Sequence, residues 1–248
     1  MFLRTNFSSS PLVRLLGDAA AVDASAPRQD VAERLSQWVG IFDAATLHAV
    51  HQSIAALDDD TPASGLPASA LPLEEQVRQV RAVLAKAIAT PAGPVDFGQR
   101  ARHPLNQPEP APDTEVDFAV YRKRYLDLQR NMELMVEPLR DHLRQTLSKA
   151  SPQLRQLAAL DAAWEKMLEA REQNLLMTVP GFLEKRFKQL RQAHGQDEPA
   201  LWRQPGGWVH VFEKEMQEVL LAELNHRLEP VVGLTEAFNS KTKDKRSA

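Results

Sequence analysis

Apolar side chains recur along residues 117–149 at Phe118, Tyr121, Tyr125, Leu128, Met132, Met135 and Leu139, in alternating steps of three and four, and Leu143 and Leu147 extend the stripe. That alternation keeps one seam on one side of a helix and suits helices that cross at a shallow angle. The spacing predicts a helix from about Asp117 to Lys149, roughly 50 Å long at about 1.5 Å per residue. Pro138 lies inside it and should kink or divide it, since proline removes a ladder bond and crowds the preceding turn. Ser151 and Pro152 supply a cap and first turn for a second long helix with apolar residues at Leu154, Leu157, Trp164, Leu168 and Leu175. So short a connection implies antiparallel neighbours, a helical hairpin with coiled-coil character.

The same periodicity places the other elements. Ser10–Pro11 opens a short helix through Leu12, Leu15 and Leu16, and a second runs from about Asp30 with Val31, Leu35, Trp38 and Val39. A third, capped by Asp43, carries Leu47, Val50, Ile54 and Leu57; after the linker-like residues 58–72 a fourth carries Val77, Val80, Leu84 and Ile88. Residues 90–116 hold Pro91, Pro94, Pro104, Pro108, Pro110 and Pro112, a density that no helix tolerates, and read as a tether. Beyond the hairpin, Pro180 restarts a helix with Leu183, Phe187 and Leu190, and residues 194–207 form a loop. A helix from Trp208 carries Phe212, Met216, Val219, Leu220 and Leu224 as far as Pro230, with a last short helix to Phe238. The expected architecture is all-α: an N-terminal helical region (1–89), the tether (90–116), a C-terminal domain built on the long hairpin (117–239) and a basic tail without structure (240–248).

Composition narrows the function classes. The 248 residues are 43% hydrophobic, enough for a real core, and only 10 are glycine. No run of β-branched residues reads as a strand. With no cysteine the chain has no disulfide, thiolate metal site or cysteine nucleophile, which fits a reducing compartment. Residues 1–20 lack the apolar stretch of about 7–15 residues that a secretory leader needs, and no stretch approaches the roughly 18–20 apolar residues of a membrane span. A cytoplasmic protein that does not insert into membranes is expected. The formal net charge of −3 argues against nucleic acid, although residues 1–116 carry 9 Lys/Arg against 14 Asp/Glu and residues 117–248 carry 21 against 19.

Candidate chemistry is sparse. Glu223 and His226 form E-x-x-H, a spacing used by carboxylate-bridged metal bundles, but those need two copies and further glutamates, so a solvated helix face is the commoner origin. His48 and His51 could share a metal with Asp58, Asp59 or Asp60, and His210 with Glu213 is similar; such spacings alone are weak. There is no G-x-S-x-G, P-loop or G-x-G-x-x-G, so an enzyme would need a site assembled from scattered residues, and no cofactor is expected. Nucleic acid would have to use Arg122, Lys123, Arg124, Arg130, Lys185, Arg186, Lys188 and Arg191. Asp127, Glu133 and Glu184 interleave with them, and Glu184 with Lys188 has ordinary ion-pair spacing. The stripe Phe118, Tyr121, Tyr125, Leu128, Met132, Met135 and Leu139 reads first as internal core and second as a seam for a protein partner or a second copy, a use that adaptable methionine suits.

Several blocks resemble a family of uncharacterised bacterial all-helical proteins defined as a domain of unknown function. They are RTNFSSSPLVRLL (4–16), ERLSQWVGIFDAATL (33–47), VRQVRAVLAKAI (77–88), FAVYRKRYLDLQRNME (118–133), SPQLRQLAALDAAWE (151–165), LLMTVPGFLEKRF (175–187) and PGGWVHVFEKEMQEVLLAELNHRLEPVVGL (205–234). The resemblance supplies no catalytic residue. It implies genes encoded beside a membrane protein with long coiled coils and a peptidoglycan-binding protein, and hence a cytoplasmic accessory of an envelope assembly. The leading expectation is a non-catalytic interaction or scaffold protein. A metal-binding helical-bundle enzyme and a weak nucleic-acid binder are the alternatives.

Overall fold

The computed structural model describes Leu12, Leu15 and residues 41–56, 73–90 and 116–247. Among them the regular elements are all helical: α1 (Ile41–Ala56), α2 (Leu73–Ala89), α3 (Phe118–Ala150), α4 (Pro152–Leu176), α5 (Val179–His194), a short 3-10 turn (Pro199–Leu201) and α6 (Trp208–Ser247). The all-α reading holds. Leu12 and Leu15 are helical and packed on the core, whereas the rest of the first expected helix, the helix from Asp30, the linker 58–72 and the tether between Thr90 and Val116 lie outside the described residues. Asp43, expected to open this helix, lies within α1 (Ile41–Ala56).

Local chemistry sets the helix ends. The Asp117 side chain accepts the Ala119 amide at 3.0 Å and opens α3. Ser151 Oγ accepts the Leu154 amide at 3.2 Å and Pro152 fills the first turn, so one residue both ends α3 and caps α4. At the far end of α4 the chain bends at Met177 and Thr178, and Pro180 sits in the first turn of α5. Neither remaining internal proline divides its helix. Pro138 is exposed on a continuous 33-residue α3, and Pro230 lies in a 40-residue α6 that continues past the stop expected there. Water can take up the carbonyl that each proline orphans, while buried Val136 and Leu139 in α3 and Leu228 and Val231 in α6 hold the ladder on either side. The helix also runs through residues 240–247, expected to lack structure.

α3 is the axis. α4 and then α5 return antiparallel along it, as Arg140 with Asp161, Gln129 with Leu176 and Phe118 with Phe187 mark. α6 runs parallel to α3, with Tyr121 on Glu213 and Glu133 on Arg227. α2 lies antiparallel across both, burying Leu73, Val77, Leu84 and Ile88. Arg81 donates to Asn225, and Arg124 donates to the carbonyls of Ile88 and Thr90, closing the C-terminal end of α2. The boundary expected at 90–116 therefore does not separate α2 in space from the C-terminal helices; its apolar face is docked on them. α1 packs on α4.

The apolar stripe expected on α4 does not face the core as a whole. Leu154 is buried and Leu157 packs against the core, but Trp164 and Leu168 are only half-buried and Leu175 is exposed. The positions turned toward α3 are instead Leu154, Ala158, Asp161 and Glu165, because charged pairs occupy the middle of the hairpin.

Candidate functional site

Three layers follow one another along the bundle. At the start of α3, Phe118, Tyr121, Phe187, Trp208 and Phe212 form an aromatic cluster with neighbouring ring centroids 5.1–6.2 Å apart, tilted or edge-on, and Trp202 meets Trp208 edge-on at 5.6 Å. The loop before α6 turns at Gly206, whose φ of 92° suits glycine. Next to it a Cβ on Gly207 would fall 2.1 Å from the Leu201 carbonyl oxygen. Tyr121 donates to Glu213 at 2.9 Å; burial, and then the carboxylate, push its phenol well above the ordinary tyrosine value, so it stays a neutral donor.

The second layer is a buried carboxylate. Glu223 is 0% exposed, and every group within hydrogen-bonding reach of it is a donor. Tyr125 donates to Oε2 at 2.5 Å, the Gln129 amide nitrogen lies 3.0 Å from both oxygens, and Arg227 Nε donates to Oε1 at 3.0 Å. Arg227 also reaches Glu133 at 3.4 Å, nearer the surface. Burial and the Glu223 charge push the Tyr125 hydroxyl far above its ordinary range. With its lone pairs occupied and no access to water, Glu223 is built to hold helices and is poorly suited to moving protons.

The third layer joins the arms of the hairpin. Arg140 bonds Asp161 at 2.6 and 2.8 Å and Glu165 at 3.0 Å, while Arg144 reaches Asp161 at 2.7 Å, Glu165 at 2.6 Å and Asp141 at 3.0 Å. Burial works against the charge on Asp161, but the hydrogen bonds and charge of Arg140 and then Arg144 outweigh it and hold its carboxyl below the usual range. Glu137 nearby moves the other way: burial and the carboxylates of Glu133, Glu169 and Glu165 raise it.

The sequence candidates are redistributed by this arrangement. The seam of α3 faces inward: Tyr121, Tyr125, Leu128, Met132 and Leu139 are buried, and Phe118 and Met135 pack partly buried against the same core. It is the internal core of the bundle, so a partner would have to use another surface. Glu223 and His226 do not converge, since Glu223 is interior and His226 is half-exposed, 3.6 Å from Glu172 and 3.7 Å from Glu229. His48 and His51 are exposed, His48 bonding Gln52 at 3.0 Å, and Asp58–Asp60 lie outside the described residues. His210 is half-buried one helical step from Glu213, which is engaged by Tyr121. Among the described residues no three His, Asp or Glu side chains are placed to share an ion.

Of the basic groups, Arg124 closes α2, Arg186 is bidentate to Glu215 at 2.7 and 2.8 Å, and Lys188 pairs with Glu184 at 2.6 Å. Arg122, Lys123, Arg130, Lys185 and Arg191 are exposed. What the periodicity did not anticipate is an apolar outer face on α4. Leu160 is 37% exposed, Leu175 55% and Met177, just beyond the helix, 71%, with half-buried Trp164, Met167 and Leu168 between them at helical spacing. The signal for the buried layer was present too: Glu223 stands among Val219, Leu220, Ala222 and Leu224, a lone charge in an apolar run with Arg227 one turn on.

The class of protein defined by this fold is an all-helical bundle on a long hairpin, cross-linked by one buried and one half-buried polar layer. Residues 2–240 match the family model described as "Protein of unknown function (DUF3348)", and the chain belongs to that family. No curated protein and no solved structure matches it.

Proposed function

We propose that this chain is a non-catalytic helical scaffold that holds a protein partner on the outer face of α4. The observation that carries the reading is the apolar stripe Leu160, Trp164, Met167, Leu168 and Leu175, which the bundle leaves half-buried or exposed along one face. The expected occupant is an amphipathic helix of the partner with anchors at i, i+3, i+4 and i+7, lying beside α1, which already packs on α4. No helix among the described residues is long and apolar enough to cross a membrane. The absence of cysteine favours a cytoplasmic scaffold, and the family resemblance supports a bacterial accessory of an envelope assembly.

The metal-enzyme alternative is weakened because Glu223 and His226 diverge, and the nucleic-acid alternative because Arg124, Arg186 and Lys188 are engaged within the fold. The test is affinity capture from the source cells, in soluble and detergent-solubilised fractions, with the parent and with a Leu160→Asp, Leu175→Asp variant. Both positions are exposed, so helicity and melting should hold within a few degrees while a partner captured by the parent is lost. Equal capture by both proteins would remove α4 as the docking face.

A further inference from the structure

The buried polar layer has a use beyond cohesion. The facing stripes of α3 and α6 are repetitive: Tyr121, Tyr125, Leu128, Met132, Val136, Leu139 and Leu143 on one side, Phe212, Met216, Leu220, Leu224, Leu228, Val231 and Leu234 on the other, each advancing in steps of three and four. Sliding α6 along α3 by one turn, about 5.4 Å, or by two, would again set large apolar residues against large apolar residues. Hydrophobic burial alone discriminates poorly among such alignments, because it is non-directional and scales with area. The Glu223 layer is directional. Tyr125 and Gln129 lie one turn apart on α3, Glu223 and Arg227 one turn apart on α6, and the donors of all three partners converge on a carboxylate that is 0% exposed. A one-turn slip toward the start of α3 would set Glu223 against Tyr121 and Tyr125 and strand Gln129, and the opposite slip would set it against Gln129 and the Glu133 carboxylate and strand the Tyr125 hydroxyl; Arg227, on the same helix, travels with Glu223 in either case.

We propose that the Tyr125–Gln129–Glu223–Arg227 layer is a register key, selecting one alignment of α6 on α3 among several that the apolar seams would accept. The inference concerns the bundle itself and does not rest on the proposed scaffold function. Buried ionic groups exchanged as a set for apolar residues of similar volume are often no loss to stability, and what they then forfeit is specificity. The key should therefore separate stability from uniqueness.

The chain has no cysteine, so spin labels can be placed cleanly at Lys123→Cys on α3 and Glu236→Cys on α6, both exposed and far apart along the bundle. Their separation tracks axial slip almost fully. In the parent, pulsed dipolar spectroscopy should give one narrow distance. In the set Tyr125→Phe, Gln129→Met, Glu223→Met and Arg227→Met, helicity should persist and the distance should broaden or split, with a population displaced by about 5 Å per turn of slip. A folded variant with the parental narrow distance overturns the proposal. Should the fourfold variant fail to fold, Glu223→Met with Arg227→Met removes the shared acceptor together with its paired charge and leaves α3 unchanged. The same labels then decide, broadening supporting the key and parental width overturning it.

Discussion

A fully buried carboxylate surrounded by donors makes a sharp prediction at the scale of one residue. Glu223→Ala leaves the Arg227 charge and the Gln129 and Tyr125 donors without their acceptor, and breaking one side of a buried ion pair costs about 3–5 kcal/mol. Tyr125→Phe removes one hydrogen bond to the same oxygen and should cost less, about 1–3 kcal/mol, both read by urea unfolding. Asp161 supplies a pH test. Its carboxyl is held below the unfolded value, near 3.9, so its contribution is complete above roughly pH 5 and is lost as pH falls through the unfolded and then the lower folded value. Asp161→Asn should lower stability at neutral pH by about 1–3 kcal/mol and flatten the dependence between roughly pH 5 and 3, measured as melting temperature against pH. These polar residues were the hardest part of the sequence to place. A charge within an apolar run is visible in the chain, but whether it snorkels to water or meets donors depends on a helix nearly a hundred residues away.

Among helices, Asp117, Ser151–Pro152 and Pro180 stand where the sequence indicates because their causes are local, each acting within one turn, whereas Asp43, the cap expected for α1, lies inside it. Prolines inside α3 and α6 misled for the opposite reason: the effect of a missing amide depends on which side of the bundle it faces. Pro138 is exposed, and both flanks of its turn are clamped by buried Val136 and Leu139. It is therefore tolerated, at a cost. Pro138→Ala restores the ladder bond to Leu134 and should raise stability by about 1–3 kcal/mol, with helicity unchanged by circular dichroism. The stripe on α4 was misassigned because periodicity locates a face without saying what it meets. Asp161 and Glu165, paired with Arg140 and Arg144, took the inward side.

For the whole molecule, the proline-rich stretch separates elements in sequence that are neighbours in space. Cleavage at a protease site introduced between residues 91 and 115 should leave the α2 fragment bound to the remainder through gel filtration, since Leu73, Val77, Leu84 and Ile88 are buried against α3 and α6. Separation of the two fragments would show that this docking depends on the covalent link. The contact between Arg81 and Asn225 spans 144 residues, whereas the turn at Ser151 brings its two helices together across a single residue. Contacts that close long loops form late and those between adjacent helices form early, so the hairpin can assemble as soon as both arms exist. During synthesis α2 emerges before α3, and well before its principal partner α6. The part of α2's apolar side that α6 covers is thus bare until α6 has been made, and a chain that stops before α6 keeps it so: incomplete copies of this protein should be the aggregating ones.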